Sequence, residues 1–221
     1  MAKLAFYGGG DDQDNRLMDM ELLKILGKKN LVFSFIPANS LHGEIEFQEF
    51  IHQYSRFGIN NFFYCPIDGP TDELKISRVF KSDLIHLGGG NTFYFMQCLR
   101  KKRLRTKLLD FLKKGGVITG LSAGAIVLTP SISTASYPKF DCDDNFLNLK
   151  NFKGLNFVDF DFFPHFQNSE RYRNALMIES KKIKRPLYAA ANGSGIIVDE
   201  KKVTFIGKTW MFLNGKSYRF F

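Results

Sequence analysis

The residues whose types and spacing could do chemistry begin with Gly120-Leu121-Ser122-Ala123-Gly124, a G-x-S-x-G segment that joins the apolar run Val117 to Thr119 to a second apolar run. A strand-turn-helix at such a point holds a serine hydroxyl at the helix N-terminus, and small flanking residues let the chain turn sharply and leave room for substrate. The N–H of Ala123 would then face the oxyanion that develops on an attacked carbonyl. A structural serine in a tight turn is the other reading; the strand-to-helix context favours acyl transfer. A serine hydroxyl is a weak nucleophile until a base takes its proton, so a histidine must come within hydrogen-bond reach. Of the four histidines, His42 and His52 flank or lie on a surface helix, and His86 sits inside a strand, where a packed role fits better. His165 follows Phe160-Asp161-Phe162-Phe163-Pro164 at the end of a strand, which can bring it to the sheet edge that carries Ser122. It is the expected base.

Two more glycine-rich turns follow expected strands. Gly8-Gly9-Gly10-Asp11-Asp12 lacks the third glycine of a dinucleotide fingerprint, and Gly88-Gly89-Gly90-Asn91-Thr92 lacks the Lys-Ser/Thr ending of a phosphate-binding loop. Both read as tight strand-to-helix turns. The second also exposes backbone N–H groups to an anion, beside a helix that starts near Asn91. Ligands of doubly wound sheets bind beyond the carboxyl ends of the strands, so all three turns can share one site.

The elements that must position these residues alternate in type. Leu4 to Tyr7, Leu31 to Ile36, Asn61 to Cys65, Asp83 to Leu87 and Val117 to Thr119 read as strands. Between them, Asp14 to Leu26, Glu44 to Phe57, Thr71 to Phe80 (capped by Thr71) and Leu104 to Lys114 read as helices, three of them ending at or just before glycine. This alternation predicts an α/β fold with a mostly parallel, doubly wound sheet flanked by helices. A strand near Phe157 to Phe163, a helix from about Ser169 to Lys182 and three short runs, Leu187 to Ala190, Gly195 to Val198 and Val203 to Ile206, complete it. The three runs read as closing antiparallel strands. No repeat or linker divides residues 1–221, so one domain is expected.

Composition narrows the function classes. No apolar run approaches the roughly 20 residues that span a bilayer, and the first residues are too short and too soon broken for a signal peptide, so a cytoplasmic protein without membrane contact is expected. Cys65, Cys98 and Cys142 are three, widely spaced and without a C-x-x-C pair, which argues against a disulfide framework or a zinc site; none lies in a glycine turn as a nucleophile would. The net charge is +9, with much of it in Leu99 to Lys107. Leu104, Leu108, Phe111 and Leu112 give that segment a helical core face, so the run reads as a solvated helix surface and not as a nucleic-acid patch.

Taken together, Gly88-Gly89-Gly90-Asn91-Thr92, Gly120-Leu121-Ser122-Ala123-Gly124-Ala125 and Pro164-His165-Phe166 resemble, in order and approximate spacing, the serine peptidases that include dipeptidase E (aspartyl dipeptidase) and cyanophycinase. The resemblance implies a fold like that of class I glutamine amidotransferase domains, Ser122 as nucleophile, His165 as general base, and an oxyanion hole from Ala123 and a glycine of the 88–90 turn, taken as Gly89. It implies hydrolysis of short peptides through an acyl-enzyme, with no cofactor and no metal, in a monomer or homodimer. A preference for N-terminal Asp would suit a basic protein. A non-peptidase amidase or esterase, or a catalytically weak ligand-binding relative, fits the same scaffold.

The group that orients His165 departs from the expected pattern. Tyr137 stands fifteen residues after Ser122, where a carboxylate would be sought, and near the C-terminal end Ala191-Asn192-Gly193 stands in place of an acidic residue before glycine. Two readings of Asn192 are open. Its amide could accept the His165 N–H, as in Cys-His-Asn enzymes, or Asn192-Gly193 could be a type I′ hairpin turn, which that dipeptide favours. Asp141, Asp143 and Asp144 are acids that a loop could bring in instead.

Overall fold

The computed structural model describes residues 3–27, 30–200 and 202–220; Met1 and Ala2, part of the start considered above, lie outside them. The first half runs β1 (Lys3–Tyr7), α1 (Arg16–Leu26), β2 (Val32–Ile36), α2 (Ser40–Ser55), β3 (Asn61–Tyr64), α3 (Glu73–Val79), β4 (Leu84–Leu87), α4 (Thr92–Lys101), α5 (Leu104–Lys113), β5 (Val117–Leu121) and α6 (Ala123–Leu128). A 3-10 turn (Ile132–Ser136) and a long loop lead to β6 (Asp161–Phe163), α7 (Glu170–Ser180), β7 (Leu187–Ala190), β8 (Gly195–Asp199), β9 (Lys202–Ile206), β10 (Thr209–Leu213) and β11 (Lys216–Arg219).

Seven strands form the main sheet in the order β3-β2-β4-β5-β1-β8-β9. The first five are parallel; β8 pairs antiparallel with β1, and β9 antiparallel with β8. Its two faces carry separate apolar layers. Phe6, Leu87, Phe95 and Phe162 belong to one, and Tyr7, Phe33, Phe50 and Tyr54 to the other. Complete burial of such a side chain contributes about 1.5–3 kcal/mol, so the sheet is held from both sides. Among the described residues, no helix is long and apolar enough to cross a membrane.

Several boundaries differ from the sequence expectation for local reasons. Helix α2 begins earlier than Glu44, because the Asn39 side chain accepts the His42 N–H and caps it. Gly43 lies inside this helix and not before it, and its lack of a Cβ makes room for β3, since a Cβ there would meet the Tyr64 hydroxyl at 2.5 Å. Helix α3 is capped by Asp72 and not by Thr71. The basic run is no single helix face: α4 ends at Lys101, Arg103 takes φ 51°, and α5 starts at Leu104. Its cations tie loops together. Lys102 donates to the Gly69 carbonyl, Arg105 to the Leu155 carbonyl, and Lys107 pairs with Glu73.

A second sheet, β11-β10-β7-β6, is absent from the sequence reading. All three expected closing strands pair antiparallel, β8 and β9 in the main sheet and β7 with β10 in this one, where β7 also pairs parallel with β6. Only three residues of the expected Phe157 to Phe163 strand pair, at Asp161–Phe163.

A buried network braces β1 against α1 and α2. The Tyr7 and Tyr54 hydroxyls and the Gln53 amide all donate to the Asp19 carboxyl. Burial outweighs these bonds and pushes Asp19 up to about 6. The folded chain therefore holds a proton on Asp19 between roughly pH 4 and 6 that the unfolded chain has lost, and stability declines as pH rises through that window. Urea unfolding at pH 4, 5 and 6 should show a loss of at most about 3 kcal/mol across it. Asp19→Asn should flatten that slope; an unchanged slope in the variant would exclude Asp19 as its source.

Candidate active site

The site lies where β1, β4, β5 and β6 end. Ser122 follows β5 with φ 52° and ψ −111°, a positive-φ turn that no regular element uses. Such strain costs of order 1–3 kcal/mol and persists only where the surroundings over-determine it. Here the Ser122 N–H donates to the Tyr7 carbonyl at 3.2 Å, and the Ser122 carbonyl accepts from Ala125 and Ile126. The flanking glycines are packing requirements. A Cβ on Gly124 would run into the Leu87 carbonyl, and one on Gly120 into the Gly124 carbonyl. Close approach of α6 to the end of β4 is thus what carries the Gly88 to Gly90 turn to Ser122.

His165 follows β6 and Pro164, also at positive φ (54°), and its N–H donates to the Gly8 carbonyl at 2.6 Å. Its Nε2 lies 2.8 Å from Ser122 Oγ and its Nδ1 lies 3.0 Å from Asn192 Oδ1. An amide oxygen only accepts, so Nδ1 carries the ring proton and Nε2 is left to accept from the serine hydroxyl. That tautomer is the one a general base needs.

Asn192-Gly193 is not the hairpin turn that the dipeptide suggests. It connects β7 of one sheet to β8 of the other, and Gly193 has positive φ (69°) while Asn192 does not, whereas a type I′ turn needs both. The Gly193 N–H donates to the Gly9 carbonyl at 2.9 Å, which pins the crossover beside His165.

The other candidates lie elsewhere. Asp143 accepts the Thr92 N–H at 2.7 Å, Asp141 accepts the Tyr172 hydroxyl at 2.7 Å, and Asp144 contributes its carbonyl to Asn91, so none of them binds the His165 ring. Tyr137 stacks with Phe163. His42 and His52 are exposed on α2, and His86 is buried, stacked on Phe35 and bonded through Nδ1 to Thr119 at 2.7 Å. Burial lowers the His86 pKa to about 3 and keeps it neutral. Cys65 and Cys98 are buried, and burial raises both thiols, Cys65 to about 11.

Gly89 lies beside the serine, with a position for Cβ 3.9 Å from Ser122 Cβ. Neither its N–H nor that of Ala123 is used by a loop or turn hydrogen bond among the described residues. Among those residues no group of three or more His, Cys, Asp or Glu could hold a metal ion. Two cavities lie near the elbow. One of about 120 Å3 is lined by Thr92, Ser122, Thr134, Asp141, Asp143 and His165 among others. A larger one, about 710 Å3, reaches Gly89 and Leu121 from the side of Tyr7, Asp11, Glu46 and Glu49. Sequence reasoning missed the threonines, and it sought in Asp141 and Asp143 a partner for His165 and not a cavity wall.

A serine and a histidine meeting beyond the carboxyl ends of a mostly parallel sheet is an arrangement that hydrolytic α/β enzymes use. The chain belongs to peptidase family S51, whose model matches residues 4–206. An uncharacterized peptidase of Listeria monocytogenes is 30% identical over 128 residues, 58% of this chain and 62% of that protein, so the match spans less than two thirds of this relative. An uncharacterized peptidase of Pasteurella multocida is 28% identical over 176 residues, 78% of this chain and 84% of its own length. A peptidase E of Nostoc is 32% identical over 88 residues, covering 40% of this chain and 34% of that protein. In fold, the chain is similar to a Listeria monocytogenes crystal structure with a provisional peptidase E name, at TM-score 0.73 and 24% identity, covering 93% of this chain and 98% of that one.

Gly9 is the glycine whose replacement acts directly on the His165 ring. Its φ is 117°, and a Cβ would strike the His165 ring and come 2.6 Å from Asn192 Oδ1. Gly9→Ala should therefore displace the imidazole, lowering peptidase kcat by about a hundredfold, as a misplacement of ~1 Å can, with circular dichroism unchanged. Wild-type kcat in a folded variant would show that the ring does not depend on this contact.

Proposed function

We propose that this chain is a serine-type peptidase that hydrolyses short peptides through an acyl-enzyme, with Ser122 as nucleophile and His165 as base. The observation that carries the reading is the chain of contacts Ser122 Oγ, His165 Nε2, His165 Nδ1, Asn192 Oδ1, at 2.8 and 3.0 Å. His165 takes the hydroxyl proton as Oγ bonds to the peptide carbonyl carbon. The carbonyl oxygen becomes an oxyanion held by the N–H groups of Gly89 and Ala123. The C–N bond breaks as His165 returns the proton to the leaving amine, and water, deprotonated by the same ring, releases the acyl group and restores Ser122.

Asn192 is the orienting group in this reading. A neutral amide holds the tautomer but stabilises the imidazolium less than a carboxylate, because charge-assisted hydrogen bonds are roughly twice as strong. The N-terminal Asp preference implied by the family resemblance has no cationic partner in the smaller cavity. Asp141 and Asp143 line it, and among the described residues His165 is the one basic side chain in its lining.

Ser122→Ala should lose labelling by a fluorophosphonate and reduce peptide hydrolysis by about a thousandfold or more. Hydrolysis by that variant at the wild-type rate would defeat the assignment. Asn192→Ala should lower kcat by roughly ten- to a hundredfold with little change in KM, since it acts through the base. An equal kcat in steady-state assays would remove Asn192 from the mechanism.

A further inference from the structure

From the larger cavity we infer that this peptidase selects peptides carrying an arginine side chain, whose guanidinium is held by Glu46, Glu49 and His86; the inference rests on the serine reading above. The cavity, about 710 Å3, falls within the roughly 300–1,000 Å3 of ligand pockets. It is lined by Gly89, whose N–H completes the oxyanion hole in that reading, and by Leu121, which precedes Ser122. A side chain next to the cleaved bond can enter it. The buried part of its lining is aromatic, from Tyr7, Phe35, Phe50 and His86, and its carboxylates stand nearer the surface. Two of these are already engaged. Asp11 accepts the N–H groups of Gln13 and Asp14, and Asp12 pairs with Arg56. Glu46 and Glu49 have no hydrogen bond or ion pair among the described residues, although basic side chains outnumber acidic ones by 31 to 22. One turn apart on α2, they repel each other. Burial and the Glu49 charge raise the Glu46 carboxyl above its usual range, against a smaller opposing pull from His42. A cation between them offsets both effects.

His86 supplies the independent sign of a ligand. Its ring is 5% exposed and lines this cavity, Nδ1 is bonded to Thr119, and Nε2 has no hydrogen-bond partner among the described residues. Unlike the sealed hydroxyls of Thr92 and Thr134, Nε2 is accessible, and the open space its ring meets is this cavity. A polar atom so placed marks where a ligand completes the bonding. The ring is kept neutral by burial, so it does not repel a cation. With Nδ1 donating to the Thr119 hydroxyl, Nε2 is an acceptor. Carboxylate, aromatic wall and imidazole are contiguous. A Cβ on Gly88 would lie 3.3 Å from Glu46 Oε2 and 3.0 Å from Phe35 Cζ, and Phe35 stacks on His86 with ring centroids 5.3 Å apart. A guanidinium fits this set because it is planar, stacks on aromatic faces and donates in several directions at once. An ammonium is a more strongly hydrated point charge and gains less from such a wall.

The arginine can be the acyl residue or the leaving residue, and binding to Ser122→Ala protein separates the two without requiring turnover. Calorimetry compares Arg-Ala with citrullinyl-Ala, and Ala-Arg with Ala-citrulline. Citrulline has an oxygen in place of one guanidinium nitrogen, so it keeps the shape without the charge. Both members of a pair share the same termini, and the comparison reports the side chain alone. In at least one pair the arginine peptide should bind about tenfold more tightly, and that pair identifies the residue. Glu46→Gln with Glu49→Gln should bring the ratio down to near one. Asp141→Asn with Asp143→Asn, the same change of charge in the smaller cavity, should leave it alone. The His86 ring resonances should shift when that arginine peptide binds, which covers the case in which the Glu46 and Glu49 variant fails to fold. Ratios near one in both pairs, no measurable binding of either arginine peptide, a ratio that survives the folded Glu46 and Glu49 variant or is lost in the Asp141 and Asp143 variant, or unmoved His86 resonances would overturn the inference. Failure of the serine reading shows separately, as hydrolysis by Ser122→Ala or absence of fluorophosphonate labelling in the wild type.

Discussion

Three successive carbonyls at the end of β1 hold the site together. Tyr7 O accepts the N–H of Ser122, Gly8 O that of His165 and Gly9 O that of Gly193, next to Asn192. Three segments far apart in the chain are thereby indexed to one short stretch of backbone, whose spacing is set by covalent geometry. Beyond Tyr7 the stretch must be free of side chains, since Cβ atoms on Gly8 and Gly9 would collide with Ala191 and with the His165 ring. Its own position is secured below by Tyr7, bonded to Asp19 and Tyr54 under α1 and α2.

That arrangement also explains how two strained residues persist. Ser122 and His165 both adopt positive φ without being glycine, at 52° and 54°. Each is fixed by a backbone bond to β1, and each follows a strand buried in the core. The strain aims the hydroxyl and the ring at one another across two different sheets. Neither sheet alone could build the pair, because β5 belongs to the main sheet and β6 to the smaller one.

Charge is sorted in space against the overall balance of +9. Basic side chains of the α4–α5 region are engaged with carbonyls and with Glu73, while carboxylates line both the cavity at Ser122 and the one that reaches Gly89 and Leu121. Net charge describes the long-range field around a molecule, and at short range the few groups lining a cavity dominate.

The sequence by itself determined the β/α alternation, the apolar face of α5 and the candidacy of Ser122, because hydrophobic period, glycine turns and the G-x-S-x-G pattern are local properties. His165 was legible as a residue at the end of a strand, one step further, since the carboxyl ends of strands share an edge. Half of the second sheet had a local signal that the reading missed: Asn214-Gly215, both at positive φ (51° and 77°), is the turn of the β10–β11 hairpin. The pairing of β7 with β6 across a helix has no such signal. Asn192 shows most clearly what only the tertiary structure decided. Asn-Gly has the local chemistry of a hairpin, and it becomes a partner of His165 only because β7 and β8 enter different sheets. Local chemistry limits what a residue is able to do, and long-range pairing selects which of those possibilities is realised.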